Sequence, residues 1–361
     1  MKVVIVGAGV AGLGIGWRLR QAGAEVTILE RGQAAQGATW ASAGMIAVAG
    51  EMGASQSPEA EFARRASRLW PNFAMEIEAA SGLDIDYRRD GALMVAIGAG
   101  TPEPAPDLEN LTSSEARDKE PMLAGDIGGA LWAPGDAQVD SRALGPALAR
   151  AFVRAGGTLS LNEPVVRFDV HAGAVEGLHT PVGRHEADAY VLAAGAWSGA
   201  FGGLPDEALP PVKPIKGEII AIAPPPGASL PRHVVWGNAV YLVPRRERLL
   251  IGATEVDTGF DTSVTAAAAE WLSSHAIRLM PALAHWSVVD RWAGLRPGSP
   301  DGLPMLGPSG IGRLFVATGQ YRNGILFAPA LAENMSRLVL GHAEGIPAFD
   351  PRRFHKGQGH A

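Results

Sequence analysis

The chain has no cysteine. That absence excludes disulfides, thiolate metal sites, a cysteine nucleophile and any prosthetic group attached through sulfur. Histidine is scarce as well: the first is His171, and no two of the nine stand at the spacing of helical ligands, so no metal site is expected. Positive charge is in deficit, with 31 basic against 37 acidic residues, and the basic residues are scattered, which argues against a nucleic-acid partner. No apolar run approaches the roughly 18 residues that span a bilayer, and the first strand runs straight into a glycine turn with no separate signal segment before it. No membrane association and a cytoplasmic location are the expectation. The apolar fraction is 47%, enough for a sizeable interior, and 361 residues exceed what one core usually supports, so two domains are expected.

What is present begins at the N-terminus. Lys2 to Val6 reads as a strand, Gly7-Ala-Gly9-Val-Ala-Gly12 as a tight turn, Leu13 to Gln21 as a helix, and Glu25 to Leu29 as a second strand closed by Glu30. Gly7 permits the turn, Gly9 lets a pyrophosphate approach the backbone, and Gly12 lets helix and strand pack closely. The helix start offers unpaired N–H groups to phosphate. Glu30, 18 residues past Gly12, is placed to accept hydrogen bonds from ribose hydroxyls and to repel a 2′-phosphate.

Further along, the proline-rich Thr101–Asp107 reads as a stiff exposed loop, and Glu115–Glu120 as a solvated helix face. Asp140-Ser141 caps a helix whose apolar side holds Leu144, Leu148, Phe152 and Ala155 and which ends at Gly156-Gly157. Val165–Phe168, Ala174–His179 and Ala189–Ala194 read as strands, the last apolar throughout as in a buried parallel sheet. From about Val212 to Trp292 the texture shifts to short strands punctuated by Pro and Gly (Glu218–Ala223, Ala239–Val243, Leu249–Ala253), which suggests an antiparallel sheet. The doubly wound texture then returns with strand Arg313–Thr318, a glycine-bearing turn over Gly319–Gly324, and helix Ile325–Leu340 with Pro329 tolerated early in it. The fold class expected is α/β: a discontinuous Rossmann-like FAD-binding domain (residues 1–80, 140–212 and 303–361) and a substrate-binding domain on an antiparallel sheet (81–139 and 213–302). The late return favours FAD over NAD, because a long dinucleotide must be met by protein far from its phosphate turn. A helix starting near Gly324 can aim its positive end at the flavin edge that becomes negative on reduction.

Three polar residues stand out beyond the turn. Tyr241 opens Tyr-Leu-Val-Pro-Arg245 and is either a half-buried strand tyrosine or a pocket group. Arg296, within Trp292-Ala-Gly-Leu-Arg-Pro-Gly298, is held between glycines and prolines, so its fork suits either a bidentate carboxylate or a structural salt bridge. Arg322, in Gly319-Gln-Tyr-Arg-Asn-Gly324, lies in the turn proposed to meet the flavin or simply caps it.

Together with Thr39-Trp-Ala-Ser-Ala-Gly-Met45-Ile46, Ala193-Ala-Gly-Ala-Trp-Ser198, Gly252-Ala-Thr254 and Arg322-Asn-Gly-Ile-Leu326, these motifs make the chain resemble, end to end, the thiamine-pathway glycine oxidases of the D-amino-acid-oxidase superfamily. The resemblance implies that Arg296, Tyr241 and Arg322 hold a substrate carboxylate and that Met45 lies along the flavin, giving Arg296, Tyr241, Arg322 and Met45 as the catalytic set. It implies cofactor contacts from Gly7, Gly9, Val10, Ala11, Gly12, Glu30, Arg31, Thr39, Ala43, Gly44, Met45, Ala194, Gly195, Trp197, Gly319, Arg322, Asn323, Gly324 and Ile325. Val166 would meet the adenine side through its backbone. Gln320 and Ala239 replace histidines found in relatives, and Trp40 is bulkier than expected there, which bears on pocket size and access. The implied activity is oxidative deamination of glycine, sarcosine or a small D-amino acid by non-covalent FAD, with oxygen as acceptor, in a homo-oligomer that supplies thiazole synthesis. Two alternatives stay open: a D-amino-acid or cyanide-forming glycine dehydrogenase with another acceptor, and a flavin-binding partner subunit without turnover. A covalent-flavin sarcosine oxidase is disfavoured, since no cysteine exists and no histidine precedes His171. The acidic balance disfavours a tRNA-modifying oxidase domain.

Overall fold

Strands Lys2–Val6 and Glu25–Leu29 pair in parallel, joined by helix Val10–Gln21, as the N-terminal pattern predicts. In the computed structural model, which describes residues 1–98, 100 and 108–355, they form the middle of a six-stranded sheet. The expected loop over 101–107 lies outside the described residues. Ala189–Leu192 lies beside Lys2–Val6, followed by Leu314–Thr318, both parallel, and Thr158–Ser160 extends the other side. Met305–Pro308 closes one edge antiparallel. The sheet therefore draws its strands from three separate stretches of chain.

A parallel sheet needs both faces covered, and alternate residues of the first strand go to different layers. Val3 and Ile5 face helices Val10–Gln21, Pro58–Ser81, Ser141–Arg154 and Gly324–Val339, where Leu13, Trp17, Trp70, Phe73, Phe152 and Phe327 are essentially inaccessible. Val4 and Val6, with Tyr190 of the adjacent strand, face a three-stranded sheet (Arg167–His171, Ala174–Thr180, Gly183–His185) through its Phe168 and Leu178. Each such side chain contributes on the order of 1.5–3 kcal/mol by leaving water. The long helix Pro58–Ser81 has clear end signals: Ser57 accepts the Ala60 N–H at 3.2 Å, Pro58 opens the first turn, and Gly82 closes it in the left-handed region.

The second sheet has eight strands in the order Ser287–Gly298, Lys213–Ala223, Arg248–Gly252, Val240–Arg245, Val234–Gly237, Ala92–Ile97, Ile127–Ala133, Glu109–Thr112. All neighbours are antiparallel except Val234–Gly237 with Ala92–Ile97. One face packs against helix Ala266–Leu279 through Leu272, Ala276 and Leu279; the other, with Tyr241, Val243 and Trp292, meets Trp40, Ala41 and Met45 of the first region.

Some local readings are corrected by the structure: the strand read as Glu218–Ala223 starts at Lys213, and the one read as Ala189–Ala194 ends at Leu192. The strand expected over Val165–Phe168 runs over Arg167–His171, because Val165 turns in to line a cavity. Glu120 is not on a solvated face: it ends helix Ser113–Lys119 almost fully buried, its carboxylate accepting the Arg232 N–H at 2.7 Å. The remaining charges of that helix are solvated, with a capping box between Thr112 and Glu115. Among the described residues, no helix is long and apolar enough to cross a membrane.

Candidate active site

Two cavities meet between the sheets. The larger, about 740 Å³, opens over the C-terminal ends of the parallel strands, where ligands of such sheets bind. Its floor is backbone. Gly7 has φ +104°, and a Cβ there would come within 2.5 Å of the Ala193 carbonyl oxygen; a Cβ on Gly12 would collide with the Gly7 carbonyl, so Gly12 serves packing and does not line the cavity. Gly9 precedes the helix, leaving its first N–H groups toward the cavity with Gly9, Val10 and Ala11. Thr39 approaches from the next segment, its hydroxyl accepting the Val10 N–H at 3.0 Å. Glu30 is held at the end of its strand by the N–H groups of Ala8 (2.9 Å) and Gly32 (3.0 Å) and lines the same cavity.

Arg31, Ala194, Gly195 and Trp197 form the adjoining wall, the Arg31 guanidinium lying 3.8 Å from the Trp197 ring centre. Phe260 also stacks on Trp197, with ring centres 5.3 Å apart. Arg322, Gly324 and Ile325 complete the far end. Val166 is not brought there: its N–H donates to His179, its side chain is exposed, and Pro164 and Val165 line the cavity instead. Gly319 also lies off the wall, packed on Met305. A dinucleotide fits this donor set. The helix start supplies N–H groups for phosphate, Glu30 supplies acceptors for ribose, and the buried Gln320 Nε2, which lines the cavity, has no hydrogen-bond partner among the described residues.

The smaller cavity, about 420 Å³, lies against the antiparallel sheet and shares Arg296, Arg322 and Ile325 with the larger. Ala43, Gly44, Met45 and Asn323 line it together with Tyr241, so most of the expected catalytic and ring-side residues do converge. Arg296 comes from strand Ser287–Gly298 and Tyr241 from Val240–Arg245. Both lie flat across the neighbouring strand because that strand carries a glycine. A Cβ on Gly217 would fall 2.5 Å from the Arg296 guanidinium carbon, and one on Gly252 would fall 2.5 Å from the Tyr241 ring. Arg296 Nη1 donates to the carbonyls of Thr254 (3.1 Å) and Lys216 (3.4 Å), and no carboxylate pairs with it among the described residues. Burial holds the Tyr241 phenol above its usual value, a tendency the nearby Arg296 opposes.

Arg322 is different. Its Nε and Nη2 meet the two carboxylate oxygens of Glu51, each at 3.3 Å, and Nη1 lies 3.8 Å from Glu255. Glu51 sits on the short helix Val48–Met52 with its side chain only 14% exposed; burial raises its pKa although Arg322 and Arg296 pull it down. Asp136 supports that helix from outside, accepting the Ala49 N–H at 3.3 Å, and burial raises its pKa to about 6. Arg245 ties the Ala43–Met45 segment from behind: fully enclosed, its Nη2 donates to the carbonyls of Ala43 (2.6 Å) and Val139 (2.7 Å), and burial lowers its pKa to about 10.

Sequence reading missed Glu51, Glu255, Asp136 and the support role of Arg245. Only Glu51 carried a usable signal, as a single acid in the small-residue run after Met45. Of the departures, Ala239 lines the smaller cavity and Gln320 the larger, whereas Trp40 packs on Trp292 with Arg142 over its ring at 3.7 Å.

Comparison with known proteins agrees with this geometry. Residues 2–338 match the family model described as FAD dependent oxidoreductase. The chain is 38% identical to a glycine oxidase of Geobacillus kaustophilus over 93% of its own length and 92% of the relative's. The crystal structure of glycine oxidase from that organism superposes with a TM-score of 0.89 at 34% identity, covering 98% of this chain and 99% of that one. A bifunctional ThiO/ThiG protein of a Synechocystis species is 36% identical over 98% of this chain, but the chain spans only 54% of that relative. With a cavity that fits a dinucleotide abutting one lined by Arg296 and Tyr241, and these matches along nearly the whole chain, the chain belongs to the FAD-dependent oxidoreductase family, with FAD as its cofactor.

Proposed function

We propose that the protein oxidises glycine or another small amine-bearing carboxylate, such as sarcosine or a small D-amino acid, to the imine, which hydrolyses to glyoxylate or the matching keto acid and ammonia (methylamine from sarcosine), with oxygen reduced to hydrogen peroxide. The observation that carries this is Arg296, a cation at the junction of both cavities with no carboxylate partner among the described residues. A guanidinium held by two carbonyls keeps donors free for a ligand carboxylate, and the Tyr241 hydroxyl lies beside it. That grip fixes the substrate's α-carbon toward the larger cavity, so the protein's contribution is chiefly orientation. Bound FAD supplies the hydride acceptor and the reactivity toward oxygen. Ala43, Gly44, Met45 and Ile325 exclude water from the meeting point of the cavities, and Gly9, Thr39 and Glu30 hold the far end of the cofactor.

The division into a cofactor domain (1–80, 140–212, 303–361) and a substrate domain (81–139, 213–302) is part of this proposal, supported by the two sheets. So are a non-covalent flavin, a cytoplasmic location and a homo-oligomer. Supply of oxidised glycine to thiazole synthesis is supported by relatives in which a similar chain is fused to a second unit.

The test is an anaerobic titration of purified protein with glycine, sarcosine, D-alanine and D-proline. Bleaching near 450 nm by one of them, followed by oxygen uptake in air, is the expected result. No bleaching with any of them rejects the proposal, and bleaching without oxygen uptake points to a dehydrogenase.

A further inference from the structure

We infer that residues 257–264 form a strap that closes FAD into the larger cavity, with Phe260 as its clasp and the Lys216–Asp261 ion pair as its latch. The inference rests on the reading of the larger cavity as the seat of FAD.

The segment leaves strand Arg248–Gly252 of the antiparallel sheet and rejoins that region at helix Ala266–Leu279, yet between those ends Phe260 and Thr262 line the larger cavity. Backbone holds only the two ends. Val256 and Lys216 exchange N–H and carbonyl at 2.9 and 3.0 Å, and the Thr265 N–H donates to the Glu218 carboxylate at 2.7 Å. Between them, the one backbone hydrogen bond among the described residues is a long one, 3.4 Å from the Asp261 N–H to the Thr258 carbonyl. A stretch with so few main-chain ties lifts readily unless side chains pin it.

Two side chains do so. Phe260 stacks on Trp197, with an angle of 27° between the ring planes. Asp261 accepts from the Lys216 ammonium at 2.7 Å, and its carboxylate is braced by the N–H and hydroxyl of Ser263 at 3.0 and 2.9 Å. Lys216 is buried, with Glu218 at 3.8 Å as its only other counter-ion among the described residues, so parting the latch leaves a buried charge poorly matched. Phe260 is the reverse case. It is 49% exposed, so burial does little to hold it, and its place follows from the ring it stacks on and the cavity it lines.

Sheet order shows what the strap covers. Strand Lys2–Val6 lies between Glu25–Leu29 and Ala189–Leu192, and at its end is the glycine turn that suits a pyrophosphate. Arg31 follows the first neighbour and Trp197 the second, and the two meet at 3.8 Å, bridging the turn between them. Phe260 adds a third member to that bridge from the other sheet. The strap therefore crosses the diphosphate part of the dinucleotide, and neither Phe260 nor Thr262 lines the smaller cavity.

The experiment times FAD release from the loaded protein, as flavin appearing in the ultrafiltrate after dilution, and records the visible flavin band and the Tm in excess FAD alongside. Phe260→Ala is expected to release FAD about fivefold to tenfold faster, the range an aromatic pair contributes, with the band unmoved. Phe260→Tyr should return to within about threefold of wild type. Asp261→Ala should release FAD about tenfold faster or more, and Asp261→Asn, which keeps an oxygen for Lys216, less so. Release from Phe260→Ala within about twofold of wild type overturns the clasp, and Asp261→Ala at the wild-type rate overturns the latch. A fall in the Tm of Phe260→Ala larger than the lost affinity accounts for marks a support of the fold and overturns the strap. A shifted flavin band in that variant puts Phe260 against the isoalloxazine and overturns its placement over the diphosphate. Should Asp261→Ala fail to fold around the unpaired lysine, Phe260→Ala, at a half-exposed site, still decides. Wild type that takes up no FAD refutes the reading of the cavity itself, a failure no release rate can imitate.

Discussion

The two cavities are built by opposite means. The larger is made, over its floor, of main chain: a glycine turn, a helix start and short side chains pinned to backbone N–H groups by hydrogen bonds within the stretch from Val6 to Thr39. The smaller is made of long polar side chains from distant strands and turns, laid over glycines and balanced against each other's charge. A main-chain site depends on conformation and tolerates changes of side-chain charge; a side-chain site tolerates small conformational shifts and fails when one charge is lost. Mutations on either side should therefore separate cofactor retention from substrate binding.

The sharpest break is Arg296→Met. Removing the unpaired guanidinium should lose about 2–5 kcal/mol of substrate binding, mainly as raised KM, while FAD occupancy measured by absorbance stays at the wild-type level. Near-normal kcat/KM would remove Arg296 as the anchor.

Next is the pH response of the smaller cavity's support. Asp136 has a folded pKa of about 6, raised from 3.8 by burial. Between those values the folded state holds the extra proton, so the group's contribution is full below about pH 4 and is lost as pH rises through 6, by at most about 3 kcal/mol. Asp136→Asn should flatten that part of the profile, seen as a smaller drop in Tm between pH 4 and pH 7 than in wild type. An unchanged slope would assign the pH dependence elsewhere.

Gly217→Ala tests the glycine slot. Its methyl group would enter the space of the Arg296 guanidinium, and overpacking of this kind costs about 1–3 kcal/mol. The expected signature is weakened substrate binding with normal flavin content; lost flavin instead would mean that the strand itself had moved. The smallest effect belongs to Glu30→Ala, which frees the Ala8 and Gly32 N–H groups and removes the ribose acceptor. About 1–2 kcal/mol of FAD retention should go, read as faster flavin loss on dialysis with unaltered KM for the protein that keeps it.

The same contrast explains what was legible in the sequence. The floor of the larger cavity comes from one contiguous stretch, and each residue of Gly7-Ala-Gly9-Val-Ala-Gly12 with Glu30 has a local physical reason that survives without knowledge of the fold. The strand over Lys2–Val6 was likewise legible, and the late return of a strand and helix placed Arg322 in the turn expected to meet the flavin. The smaller cavity has no such local grammar. Gly217 and Gly252 look like ordinary strand glycines until strand pairing brings Arg296 and Tyr241 across them. Glu51 and Arg322 are 271 residues apart, and nothing in either neighbourhood announces the other. Val166 shows the converse: a plausible position by resemblance, but one whose N–H the adjacent strand already uses.

Arg296, Arg322 and Ile325 belong to both cavities, so whatever sits in one becomes a wall of the next. The two occupants must then sense each other. Apoprotein should grip small acids poorly, a bound acid should slow escape of the ring, and linkage makes that mutual aid equal whichever guest arrives first.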